Sequence, residues 1–194
     1  VKTNMFNKTN TKFKELIGTR GVADRKKILQ LASLPETEEE LIAISKFFKK
    51  RALFTKDLAN EAEIRNSFIE DASIIVFATH AVENMTSDSY EVGLVLTPPN
   101  ETYNQFDDGL LTREEISLLK LNNPVVTLSA CNTSRGLYSG AETFSGLPTG
   151  FFEAGASSVI SSMWDLESSS AKEMSVLAFE IATKNNIPIS NGYN

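Results

Sequence analysis

The hydrophobic and polar residues of the chain form two patterns that alternate along the sequence. Continuous apolar runs rich in β-branched residues, typical of strands buried on both faces, occur at 73–79 and 124–130. Further runs with the composition or alternation of strands predict strands at 27–33, 51–55, 90–98 and 157–164. Between these runs, apolar residues recur every three or four positions, as on one face of a helix. This spacing predicts helices at 37–50, from Asn60 onward, and at 111–120, 142–155 and 168–184.

Polar residues at the starts of these segments mark the ends of helices. Asn60 is placed as an N-cap, and Thr37 with Glu40 and Thr112 with Glu115 have the spacing of capping boxes. Strands that alternate with helices predict an α/β sandwich with a mainly parallel central sheet. The length of 194 residues suits a single domain with a full core.

Composition and charge narrow the class of protein. The chain is 41% hydrophobic and 23% charged, as in ordinary soluble proteins, and it has no apolar run of the roughly 20 residues that span a membrane. The net charge of −6 divides into +6 over residues 1–60 and −12 over residues 61–194. The basic part has no interleaved aromatic pattern and no nucleic-acid motif, so we expect a solvated or docking face and no direct nucleic-acid binding. The acidic part favours a cationic ligand.

The chain has one cysteine, Cys131, and one histidine, His80. These numbers exclude an internal disulfide and a zinc site built on Cys and His, and they fit a reducing, cytoplasmic setting. Each residue follows a predicted buried strand directly. If the two strands are adjacent and parallel, both side chains emerge at the same sheet edge, where a histidine can activate a thiol. The alternatives are a buried Cys131 in the core and a His80 that is hydrogen-bonded to backbone.

Several segments together resemble a known family. The stretches "FATHAV", "GLVLTP", "DDGLLTREEISLLKL", "VVTLSACNTSRG" and "GAETFSGLPTGFFEAGASSVISSMWDLE" are similar, in this order, to the CHAT domain. CHAT domains are caspase- and separase-like cysteine peptidases of bacteria, commonly fused to tetratricopeptide repeats. The resemblance, which runs from about Lys26 to about Ala182, implies a caspase-like three-layer sandwich. We therefore expect a peptidase domain over 26–194 and a linker, or the tail of an upstream element, over 1–25. Because the family's closing segment is absent after the last helix, we expect a domain cut from a longer protein.

The resemblance also implies roles for particular residues. The family's catalytic dyad falls on His80 and Cys131, and Glu142 is placed near the site. In related peptidases an acidic residue in the segment that matches Asp165 and Glu167 recognises the side chain before the scissile bond. Asp165, or else Glu167, would then select Arg or Lys. The alternative is that these two carboxylates cap the helix predicted at 168–184.

One departure from the family concerns the residue after the histidine. The family usually has glycine there, and its backbone N–H, with that of the cysteine, forms the oxyanion hole; here the residue is Ala81. An alanine keeps the donor unless the position needs a positive φ. The resemblance implies a cysteine endopeptidase without metal or organic cofactor. It would act on a protein substrate and be controlled by an upstream repeat or sensor region. The alternative is a catalytically silent caspase-like scaffold that serves in signalling.

Overall fold

The computed structural model describes residues 13–18, 22–66, 68–85, 90–100, 106–129, 146–161 and 168–193. Within these ranges the fold mixes helices and strands, as predicted. The α-helices are α1 (Phe13–Leu16), α2 (Arg25–Ile28), α3 (Pro35–Ser45), α4 (Glu61–Asn66), α5 (Arg113–Ser117), α6 (Leu147–Glu153) and α7 (Ser168–Asn185). The strands are β1 (Ile74–Ala78), β2 (Ala81–Met85), β3 (Tyr90–Val95), β4 (Leu110–Thr112), β5 (Val125–Ser129) and β6 (Ser158–Ser161). Short 3₁₀ helices occupy Lys56–Leu58, Phe68–Asp71 and Ile189–Tyr193.

The parallel sheet has the order β1-β5-β6, with β5 in the middle. Ile74 pairs with Val125, and Val125 pairs in turn with Ser158 on the other side of β5. The strands predicted at 73–79, 124–130 and 157–164 are thereby confirmed over 74–78, 125–129 and 158–161, whereas residues 130 and 162–164 lie outside the described ranges. Their apolar, β-branched sequences suit this position, because helices and further apolar residues cover the faces of a parallel sheet.

A second, antiparallel sheet has the order β2-β3-β4. Strand β3 confirms the prediction at 90–98, although it ends at Val95, whereas β2 and β4 were not predicted. The described strands therefore form one parallel and one antiparallel sheet of three strands each. The expectation of a mainly parallel sheet holds for the first sheet only, and the caspase-like three-layer sandwich stays a prediction.

The two faces of the parallel sheet have separate cores. One face packs against the antiparallel sheet and α6 through a large apolar cluster that includes Phe77, Leu94, Leu128 and Phe151. The other face is covered by α3, α7 and the C-terminal 3₁₀ helix, whose Ile44, Phe179, Ala182 and Ile189 lie against Ile74, Val76 and Ile160. Alternate residues of the strands thus point to opposite cores, as the period of a strand requires.

The N-terminal part of the described chain packs on the antiparallel sheet. Leu16 and Ala23, which the sequence analysis placed in a linker, are buried there with Val82. The strand predicted at 27–33 is wrong, because Asp24 accepts a hydrogen bond from the N–H of Lys26 and starts α2 instead. The strand predicted at 51–55 is also wrong, since that segment has no regular structure.

The helix starts test the predicted caps. Asn60 accepts a hydrogen bond from the N–H of Glu63, and the Thr112–Glu115 capping box is present, so both predictions are confirmed. The capping box of Thr37 and Glu40 is wrong, because α3 begins earlier, at Pro35, whose ring suits the first turn.

The helix predicted at 142–155 is confirmed in part. It begins at Leu147, and residues 142–145 lie outside the described ranges. Pro148 was expected to kink or break this helix, but it lies in the first turn of α6, where a proline is tolerated.

Candidate functional site

The structure describes two of the six residues predicted for the site. His80 lies in the short connection from β1 to β2, between the parallel and the antiparallel sheets, and Ala81 is the first residue of β2. The other four residues lie outside the described ranges: Cys131, Glu142, Asp165 and Glu167. Their predicted roles stay predictions, as do the alternatives of a buried cysteine and of a carboxylate cap.

The strands that lead to His80 and Cys131 are neighbours. Strand β1 pairs with β5 in parallel, and the pairing runs as far as Ala78 with Ser129. His80 and Cys131 are as far apart in the sequence as the residues that pair between β1 and β5, such as Ala78 and Ser129. The predicted adjacency of the two strands is therefore confirmed. Both strands end at the same, carboxyl edge of the parallel sheet, where α/β proteins bind ligands.

Two hydrogen bonds fix the backbone around His80 to β3. The carbonyl oxygen of His80 accepts from the N–H of Val95 at 2.9 Å, and the hydroxyl of Thr79 donates to the carbonyl of Val95 at 2.5 Å. Strand β3 is itself central in the antiparallel sheet. The histidine is therefore held by both sheets, on a connection too short to move independently of them.

The imidazole ring of His80 has a backbone partner on the N-terminal segment. Its Nε2 lies 2.7 Å from the carbonyl oxygen of Ala32. Since a carbonyl oxygen only accepts, Nε2 is the donor and carries a hydrogen. In the neutral ring, Nδ1 is then the nitrogen that can accept a proton from another group. This role of Ala32 could not be predicted from the sequence, because a contact to a backbone carbonyl does not depend on the side chain.

Ala81 begins β2 in an extended conformation. The described residues other than glycine that have a positive φ are Lys56, Asn123 and Asn186, so alanine is unstrained at position 81. Because the opposite pair of His80 and Val95 is hydrogen-bonded, the next pair, Ala81 with Leu94, is of the open type. The N–H of Ala81 consequently points away from β3, toward the edge of the antiparallel sheet. With alanine in place of the family's usual glycine, the N–H of residue 81 is thus still directed away from the hydrogen bonds between β2 and β3.

A buried glutamate contacts the end of β5. Glu40 on α3 is 1% exposed, and its Oε2 accepts a hydrogen bond from the Ser129 hydroxyl at 2.9 Å. Its Oε1 is buried without a hydrogen-bond partner among the described residues. Burial raises the pKa of the Glu40 carboxyl, an effect that the hydroxyls of Ser129 and Ser175 and the charge of Lys172 oppose. Glu40 is therefore a core residue and not the capping residue predicted from Thr37, and its position one turn before Ile44 on the apolar stripe is the sequence signal of its burial.

A second group of buried carboxyls joins separate parts of the fold. Glu61 accepts hydrogen bonds from the N–H groups of Asp108 and Gly109, and Asp108 accepts one from the N–H of Ala23 at 2.6 Å. These bonds attach the N-terminal segment and α4 to the turn before β4. In the parts of the chain that the structure describes, no cluster of His, Cys, Asp and Glu is arranged to hold a metal ion.

Comparison with protein-family models matches residues 8–182 to the CHAT domain. The chain belongs to the CHAT-domain family. This family is caspase-like and peptidase-like, and the matched range of this CHAT domain includes His80, Ala81 and Cys131. No curated protein and no solved structure matches the chain. Over the described residues, the CHAT domain has no helix that is both long and apolar enough to cross a bilayer.

Proposed function

We propose that this CHAT domain is a cysteine endopeptidase that uses His80 and Cys131. The observation that carries the proposal is the parallel pairing of β1 with β5, since the only histidine and the only cysteine follow these two neighbouring strands at equivalent positions. Membership of a peptidase-like family supports the same assignment. A thiol needs a nearby base or imidazolium to become a nucleophile at neutral pH, and the sequence offers one candidate for each role.

The hydrogen bond from His80 to Ala32 supports a role for the imidazole in proton transfer. With its Nε2–H donated to the carbonyl of Ala32, the ring has a fixed orientation and leaves Nδ1 to exchange a proton with the thiol. The thiolate of Cys131 attacks the peptide carbonyl carbon, a C–S bond forms, and the π electron pair moves to the oxygen. The imidazolium then gives its proton to the departing amine as the C–N bond breaks, which leaves a thioester.

The thioester is hydrolysed by water with the help of the same histidine. His80 accepts a proton from the water as it attacks, and the C–S bond breaks to return the thiolate and release the new carboxylate. In both steps the negative oxygen would be held by the N–H groups of Ala81 and Cys131. The extended Ala81, whose N–H points away from β3, supports its part in this role.

The proposed substrate is a protein cleaved after a basic residue. The charge of −12 over residues 61–194 favours a cationic side chain near the site, and Asp165, or else Glu167, with Glu142 near the site, would recognise it. In the cell we propose a cytoplasmic enzyme controlled by an upstream tetratricopeptide-repeat or sensor region.

Variants of the dyad, measured in the full chain, test the proposal. Cys131→Ala and His80→Ala should each lower the rate of cleavage of Lys- and Arg-containing peptides by at least about a thousandfold, because the two residues act as a unit. A peptide with Glu at the cleaved position should be a poor substrate. Ser117→Ala, which removes a hydroxyl on α5, is the matched control and should retain full activity. Equal cleavage by the wild type and Cys131→Ala would refute the proposal, and no cleavage by either protein would favour the catalytically silent scaffold.

A further inference from the structure

A buried glutamate, Glu40, lies against β5, the strand that leads to Cys131. Burial of its carboxyl is unfavourable for the free energy of folding. Glu40 is carried by α3, which packs on α7 and β1, and its carboxyl is enclosed between these elements and β5. The neighbouring residue Glu39 takes the salt bridge to Lys172, at 2.6 Å, and leaves Glu40 with hydroxyl groups around it. A leucine of similar volume would fill the same space without a buried charge.

Such an arrangement is costly for stability. A buried carboxyl loses its hydration; among the described residues Glu40 makes no salt bridge, and its Oε1 accepts no hydrogen bond. Buried polar atoms that lack a partner are uncommon in folded proteins and call for an explanation. The hydrogen bond that Glu40 does accept therefore indicates what the carboxyl is for.

The group that it holds is the last residue of β5. The Ser129 hydroxyl donates to Oε2 of Glu40 across a sequence distance of 89 residues, and Ser129 is two residues before Cys131. Thr127, on the same face of the same strand, is also buried, but its hydroxyl has no hydrogen-bond partner among the described residues. The hydrogen bond between α3 and β5 is therefore made at Ser129, the last residue of the strand before the cysteine.

We propose that Glu40 is a positioning residue of the candidate active site, which fixes the carboxyl end of β5 through its hydrogen bond with Ser129. This inference rests on the proposed function of Cys131 and His80. Glu40 does not touch substrate; it acts by keeping the strand end in register with the end of β1, so that the thiol and the imidazole can pair. Its loss should impair the pairing and leave the rest of the fold in place.

Alkylation of the single cysteine tests the inference without requiring peptidase activity. The rate of reaction with iodoacetamide, measured from pH 5 to pH 9.5 on the full chain, reports Cys131 alone. Glu40→Leu replaces the carboxyl by an apolar side chain of roughly similar size and removes the acceptor, and Ser129→Ala removes the donor. Both should slow alkylation at pH 7 about tenfold, the usual effect of one hydrogen bond. The midpoint of the pH profile should rise toward that of an ordinary thiol, near about 8.5.

Two further variants separate positioning from charge and from packing. Glu40→Gln retains an oxygen that accepts from Ser129, so its alkylation rate should stay within about twofold of the wild-type rate. Thr127→Val, the matched control on β5, removes a hydroxyl that is not bonded to Glu40, and it should behave likewise. The unfolding temperature of Glu40→Leu should be equal to or above that of the wild type, since the buried carboxyl is gone.

The outcomes distinguish this inference from the proposed function. Glu40→Leu with the wild-type alkylation profile would overturn the positioning role, and so would a Glu40→Gln as slow as Glu40→Leu. If Thr127→Val slowed the reaction equally, the effect would be one of general packing and the inference would again fail. An alkylation profile that does not respond to His80→Ala contradicts the proposed function itself. A profile that responds to His80→Ala and not to Glu40→Leu contradicts only the inference about Glu40.

Discussion

The carboxyl of Glu61 should make the stability of the domain depend on pH in the physiological range. This residue, the first of α4, is completely buried. Its Oε2 accepts hydrogen bonds from the N–H groups of Asp108 at 2.9 Å and Gly109 at 2.7 Å, and its Oε1 lies 3.3 Å from the guanidinium of Arg65. These contacts favour the charged form, while burial opposes it.

Burial has the larger effect. It raises the pKa of Glu61 from 4.5 to about 7, helped by the nearby carboxylates of Glu115 and Asp108 and opposed by the N–H of Gly109 and by Arg65. The native state therefore keeps a proton on Glu61 at pH values where the unfolded chain has lost it. The stability that this proton provides is complete below about pH 4.5 and is lost as the pH rises to about 7. A difference of about 2.5 in pKa corresponds to about 3 kcal/mol, at about 1.4 kcal/mol for each pKa unit.

The assay compares the wild type with Glu61→Gln, which cannot titrate. Urea unfolding, followed by circular dichroism, gives the free energy of unfolding of both proteins at steps from pH 4.5 to pH 8.5. The wild type should lose stability relative to the variant by about 3 kcal/mol between pH 4.5 and pH 7.5, with no further relative change above that range. Glu63→Gln makes the same change of charge on the same helix and serves as the control. Its difference from the wild type should vary much less with pH.

Parallel curves for the wild type and Glu61→Gln would refute this reasoning. They would mean that the two backbone N–H groups and Arg65 compensate fully for burial, so that the carboxyl titrates as it does in the unfolded chain. A relative gain of wild-type stability with rising pH would show that these contacts outweigh burial.

Three further substitutions test other parts of the structure. Ala81→Gly should change the cleavage rate by less than about threefold, because the residue is already extended; a tenfold rise would contradict the unstrained conformation. Gly155→Ala should lower the free energy of unfolding by at least about 2 kcal/mol in urea, since φ is 107° and the new methyl would meet the Leu121 carbonyl; no loss would contradict this. Thr112→Ala, which removes the N-cap of α5, should cost about 1 kcal/mol in the same assay, clearly more than Ser117→Ala on that helix.

The parallel sheet could be predicted from sequence because its strands carry a strong local signal. The runs "SIIVFAT" and "VVTLSA" are apolar without interruption and rich in β-branched residues, which only a strand covered on both faces readily accommodates. The caps at Asn60 and Thr112 were equally local, since donor and acceptor are three residues apart. In each case the interaction that decides the structure lies within a few residues of the pattern that reveals it.

The antiparallel sheet could not be predicted in the same way. Strand β2 is the sequence "AVENM", half polar and five residues long, and it is defined by its pairing with β3. Strand β4 is three residues long and merges into the cap of α5. Both strands depend on partners elsewhere in the chain, and β propensity is too sensitive to context to replace those partners. The strand predicted at 27–33 is wrong for a local reason: Asp24 caps a helix that begins at Arg25.

The same distinction applies to the candidate site, where the informative contacts are the distant ones. The hydrogen bond of His80 with Ala32 spans 48 residues and uses a backbone carbonyl, so no choice of side chain at position 32 could indicate it. That of Glu40 with Ser129 does involve two side chains, and one half of it was visible: a carboxyl lies on the buried stripe of α3, four residues before Ile44. The spacing of Thr37 and Glu40 predicts a capping box, but α3 begins earlier, at Pro35, and Glu40 lies on the same buried face as Ile44. A charged residue on the apolar stripe of a helix therefore predicts burial, together with a hydrogen-bond partner that is distant in the sequence.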